Sequence, residues 1–152
     1  MAQKINFFAE DTDFAPKHKA VLRRWLAATI AARGQRLGEM NFVFCSDAYL
    51  HQMNVDHLAH DTLTDIITFD NGEPGGSIEA DIFISVERVA ENAGKFAVPF
   101  EQELHRVMVH GTLHLLGLGD KTPAQKKVMR AAEDEQLAQL ARLLAEPASP
   151  RS

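Results

Sequence analysis

Val21, Leu22, Trp25, Leu26 and Ile30 recur at the spacing of one helical face, which predicts a helix opened by Pro16 and ended by Gly34. Before it, Ile5 to Phe8 reads as a short strand; after it, Met40 to Cys45 reads as another. Ser46 with Asp47 offers a cap for a helix through Leu50, Met53 and Leu58. Asp65 to Phe69 is rich in β-branched residues and predicts a strand. The glycines and proline of Asn71 to Gly76 make a turn before a strand over Ala80 to Ser85. Helices are expected at Val86 to Phe96, Pro99 to Leu116 and Pro123 to Leu144. Glu146 to Ser152, with two prolines, is expected to be a disordered tail.

This order predicts an α+β fold, a small mixed sheet packed with helices, in one domain over residues 1–145 without repeats or an internal linker. At 152 residues such a domain buries a core without crosslinks. The one cysteine, Cys45, excludes an internal disulfide, and its place in Phe42-Val43-Phe44-Cys45 favours a buried core thiol. Met1 to Asn6 lacks a secretory apolar segment and no run is long enough to span a bilayer, so a cytoplasmic location is expected.

The net charge of -5 argues against indiscriminate coating of nucleic acid, but leaves room for a local basic face. Lys17, Lys19, Arg23, Arg24, Arg33 and Arg36 read as solvated surface of the first helical region. Lys121, Lys126, Lys127 and Arg130 gather instead beside the residues that carry the chemistry.

His110 and His114 lie four residues apart in a helical stretch, so both imidazoles leave one face. Two neutral imidazoles at that spacing can share a borderline-soft divalent cation. Gly117 lets the helix stop and the chain turn back, bringing Asp120 toward the histidines as a third, oxygen ligand. One zinc ion held by His110, His114 and Asp120, with an open coordination position, is the expected site. The offsets match the ligand frame of the long zincin motif, with carboxylate replacing the third imidazole and Gly111 replacing the glutamate after the first histidine. That glutamate is the base of a zinc peptidase, so Gly111 weighs against peptidase chemistry. His105 is expected on the surface, well around the helix from His110.

The run His110-Gly-Thr-Leu-His114-Leu-Leu-Gly117 resembles the YbeY family of bacterial endoribonucleases, whose motif reads HGxLHLxGYDH. Asn54, Thr64-Asp65-Ile66-Ile67-Thr68-Phe69, Asp81-Ile82-Phe83-Ile84-Ser85 and Met129-Arg130 followed by Glu133 resemble further blocks of that family, in the same order. Asp120 stands at the family's third histidine, and Leu58 where the family usually has an arginine able to bind phosphate bidentately. His57, His60 or Lys121 could serve as the charge partner in its place.

The resemblance implies a zincin-like domain with the metal helix beneath the sheet, and the strand Ala80 to Ser85 edging a cleft over the metal. Asp65 and Asp81 then become candidates to orient the ligands. The activity implied is metal-dependent cleavage of single-stranded RNA, in maturation of the small-subunit rRNA 3′ end and ribosome quality control. Precursor rRNA, the small ribosomal subunit and its assembly proteins are the implied partners, with no membrane. A ribosome-assembly factor whose metal is structural is the alternative. No catalytic residue beyond the metal ligands is assigned.

Overall fold

The computed structural model describes residues 4–58 and 64–146, the side chains at 57 and 58 excepted. The expected tail beyond Glu146, His60 and the side chains of His57 and Leu58 therefore lie outside the described residues. Four strands, β1 (Ile5–Ala9), β2 (Leu37–Cys45), β3 (Ile66–Asp70) and β4 (Ile78–Ser85), form one sheet in the order β1-β2-β4-β3. β1, β2 and β4 run parallel, and β3 closes the sheet antiparallel to β4, with Thr68 opposite Ile82. The sheet is mixed and the helices pack on it, as expected of an α+β fold.

The helices are α1 (Lys19–Ala32), α2 (Asp47–Leu58), α3 (Val86–Phe96), α4 (Phe100–Leu115) and α5 (Pro123–Ala145). Alternate residues of the parallel strands, Met40, Phe42, Phe44 and Ala80, Ile82, Ile84, bury in the main core with Trp25 and Leu26 of α1 and Met108 and Leu113 of α4. Cys45 and Ile67 turn to the other side and pack with Leu50 of α2 in a smaller cluster. Helix α5 adds Met129 and Leu140 to the main core. Its start is fixed by a capping box between Thr122 and Gln125, with Pro123 in the first turn.

β4 begins at Ile78 rather than Ala80, and two further starts differ more from expectation. α1 begins at Lys19 rather than at Pro16, because His18 adopts a left-handed backbone with φ 60° that breaks any helical run from the proline. β2 begins at Leu37, extended past the apolar run by its pairing with Ile78 of β4. The order of the sheet also corrects the expected cleft. β4 is an inner strand, and β3 is the edge that stands over the histidine helix.

Candidate metal centre

α4 carries His110 and His114 one turn apart, then stops in a left-handed glycine. Gly117 has φ 103°, its N–H donates to His114 O at 3.0 Å, and Leu118 N–H donates to Leu113 O at 3.1 Å. This is a Schellman turn, which satisfies the last carbonyls of the helix and redirects the chain. Lys121 N–H and Thr122 N–H both donate to Oε1 of Gln125, at 3.0 and 3.1 Å, which ties the segment after Asp120 to the first turn of α5. The two ends of the turn are thus anchored, and Asp120 is brought back to within 3.2 Å of Nε2 of His110.

Both histidines use Nδ1 to reach an acceptor. Nδ1 of His110 donates to Oε2 of Glu133 at 2.6 Å, and Nδ1 of His114 donates to Leu118 O at 3.3 Å. An ionised carboxylate and a carbonyl accept only, so the proton of each neutral ring sits on Nδ1 and the lone pair on Nε2. That is the orientation of metal-ligating histidines whose far nitrogen is fixed by a carboxylate or a backbone oxygen. His110, His114 and Asp120 line one cavity of about 340 Å³ with Asn54, Thr64, Asp65 and the β3 residues Ile66, Ile67 and Thr68.

The donor set fits a divalent cation. A neutral Nε2 and a carboxylate oxygen 3.2 Å apart both present lone pairs, and only a proton or a cation between them relieves the repulsion. Two ligands each about 2.0–2.1 Å from a tetrahedral zinc would stand about 3.3 Å from one another. Among the described residues no group of three such side chains already converges on one point. His110 and Asp120 face each other, while His114 lies on the same wall of the cavity.

Glu133 is the group that sequence reasoning left without a role. One oxygen takes His110, and the other accepts from Nη1 of Arg106 at 2.9 Å, while Nη2 of Arg106 donates to Asp134 at 2.7 Å. The Glu133 hydrogen bond, with the charges of Glu133, Asp120 and Asp65, holds the imidazolium of His110 above its ordinary pKa against the opposing effect of burial. Burial pushes the carboxyls of Asp65 and Glu103 upward. A signal for Glu133 was present: it falls among Met129, Ala132 and Leu140, an acid inside the buried stripe of α5.

Asp65 lines the cavity and acts on His110 through charge, whereas the orienting hydrogen bond belongs to Glu133. Asp81 does not line the cavity; Asn41 and Asn71 donate to its two oxygens at 3.0 and 3.1 Å. Lys121 is exposed and does not line it either. His105 is buried, 7% exposed, with its ring edge-on to Trp25 at 6.2 Å, because a step of five residues back along α4 faces α1 rather than solvent. Burial lowers its pKa. No described helix is long and apolar enough to cross a membrane.

Gly111 is buried where α4 crosses the sheet. A Cβ there would stand 2.9 Å from Cδ1 of Ile66, 3.3 Å from Oγ1 of Thr68 and 3.5 Å from Cγ2 of Ile82. The missing peptidase base is therefore a matter of packing. A glutamate side chain has no room between helix and strands.

The family described as Endoribonuclease YbeY matches residues 4–141. Relatives of that name are similar to the chain over most of both lengths. The protein of Cytophaga hutchinsonii is 50% identical over 89% of the chain and 94% of its own length. That of Flavobacterium johnsoniae is 49% identical over 88% and 95%, and that of Christiangramia forsetii 45% over 89% and 93%. In fold, the chain is similar to the solution structure of a protein from Thermotoga maritima, with a TM-score of 0.61 and 22% identity over 97% of this chain and 99% of that one.

Proposed function

Because the chain belongs to the YbeY endoribonuclease family, we propose that it is a metal-dependent endoribonuclease of rRNA maturation, acting on single-stranded RNA at the small-subunit 3′ end. The observation that carries the site is the common orientation of His110 and His114, each with Nδ1 tied to an acceptor and Nε2 left to bind, beside Asp120. We assign these three side chains as ligands of one zinc ion. A divalent cation held there would supply Lewis acidity, to activate water and to offset charge on a phosphoryl group.

The residues around it do the rest. Glu133 holds the Nδ1 proton of His110, so that the ring cannot turn its lone pair away from the cavity. Thr68 of β3, Thr64 before it and Asn54 of α2 give the cavity a polar lining, suited to the sugar and base edges of an unpaired strand. The small ribosomal subunit with its assembly proteins is the proposed setting, in the cytoplasm. The binding-only alternative is not favoured, since the relatives carry the name of an endoribonuclease. A peptidase reading fails on the packing at Gly111.

The test is cleavage of a labelled single-stranded RNA by purified protein, before and after chelation, beside His114→Ala. Loss of cleavage in both, with restoration by added metal in the wild type alone, is expected. Undiminished cleavage after chelation or in His114→Ala sinks the mechanism. In cells whose only copy is His114→Ala, small-subunit rRNA 3′ ends are expected to remain unprocessed; normal ends would return the choice to the binding factor.

A further inference from the structure

We propose that Lys126 and Arg130, one turn apart on α5, form the phosphate-binding rim of this site and receive the RNA backbone on the α5 side of His110. The inference rests on the nuclease reading above and adds where the polyanion lies. The cavity under β3 is lined by Asp65 and Asp120 and, among the described residues, by no lysine or arginine. Around His110 on the α5 side a second cavity, about 270 Å³, is lined by His110, Asp120, Lys126, Met129, Arg130 and Glu133. RNA carries one charge per phosphodiester, and a lining that can meet its sugars and bases still needs cations to meet its phosphates.

Three cations stand near this side of the centre, and only two are available. Arg106 is 13% exposed and is used up by Glu133 and Asp134. Lys126 and Arg130 are exposed and make no side-chain hydrogen bond or ion pair among the described residues. Arg130 lines a neighbouring cavity with Glu103 and makes no hydrogen bond to it, so its guanidinium donors remain for a phosphate. The place of Lys126 is not one that helix stability selects. The first turn of α5 has no acidic residue, and Lys126 lies near the end where the helix dipole is positive. An anion placed against these side chains gains from both charges and, at Lys126, from that dipole.

The measurement is kcat/KM of the metal-loaded enzyme on a single-stranded RNA oligonucleotide across a range of sodium chloride concentrations. The variants are Lys126→Gln/Arg130→Gln, Arg130→Lys and, on the far basic surface, Arg33→Gln/Arg36→Gln. The first should lower kcat/KM at low salt through KM, with metal content and kcat unchanged. It should also flatten the plot of log kcat/KM against log salt by about 1.4, two phosphate contacts at about 0.7 each. Arg130→Lys should keep most of the wild-type slope, and the Arg33/Arg36 pair all of it. If the wild type cleaves and the double glutamine variant keeps its slope and KM, the rim is refuted while the nuclease reading stands. If the wild type does not cleave, both fall together.

Discussion

Nδ1 of His110 and Oε2 of Glu133 are 2.6 Å apart, and the other oxygen of Glu133 is held by Arg106 at 2.9 Å. A buried carboxylate thus spans a guanidinium and the His110 ring, and α5 sets the tautomer of a histidine on α4. Glu133→Gln keeps the shape and loses the charge. It should weaken zinc binding by about 10- to 100-fold, read by competition with a chelator. An unchanged affinity would remove Glu133 from the site.

Asp120 reaches the cavity by way of the turn at Gly117, and its proposed role as a ligand is separable from folding because the turn is held by backbone and Gln125 contacts. Asp120→Ala is expected to lose bound zinc with its circular dichroism spectrum intact. Stoichiometric zinc in that variant would leave the two histidines as the site.

At Gly111 the size of the added group decides the outcome. The nearest atom to a new Cβ is the free end of Ile66, which can rotate, and alanine is worth about 1 kcal/mol over glycine in a helix. Gly111→Ala should therefore lie within about 1 kcal/mol of wild type. Gly111→Glu should cost about 3 kcal/mol or more, from overpacking and a buried charge, and should give no peptidase activity. Urea unfolding of the two variants checks this; a glutamate variant as stable as wild type would contradict the packing.

His105 should make the fold sensitive to mild acid. Burial lowers its pKa in the folded chain, while the unfolded ring titrates near its ordinary value of about 6.5. The unfolded state then binds the extra proton first, so this contribution is whole above about pH 6.5 and is lost as pH falls below it. Between pH 7.5 and 5.5 the urea midpoint of wild type should drop further than that of His105→Leu. Equal drops would acquit this residue.

Cys45 has its thiol pKa pushed up to about 12, by burial first and then by Asp11, Asp47 and Glu10. It should resist a thiol-specific disulfide reagent at pH 8 in the folded protein and react at once in denaturant. Rapid labelling of the native chain would mean that the α2 face opens.

Helices α3, α4 and α5 were readable because they carry their own punctuation: Ser85 caps α3 through Arg88 N–H, Gly117 ends α4, and Thr122 with Pro123 starts α5. That His110, His114 and Asp120 line one cavity was readable because they are local, within one helix end and its turn. What escaped was set by tertiary placement. Glu133 is 23 residues from His110 and meets it only when α5 folds back along α4. The edge position of β3 follows from an antiparallel return that no period in Ile66 to Asp70 encodes. His105 was misplaced because a helical wheel shows that it leaves His110's face without showing that α1 covers the face it joins.

Gly111 carries a consequence for what this scaffold can become. The residue beside the first histidine is where a zinc hydrolase would acquire a base by a single exchange, and here that exchange collides with Ile66, Thr68 and Ile82 before any chemistry can be selected. Helix and sheet would have to part first. The contact that seats the metal helix under its strands also closes the shortest mutational route from one hydrolytic trade to another, so reaction class is inherited with the packing.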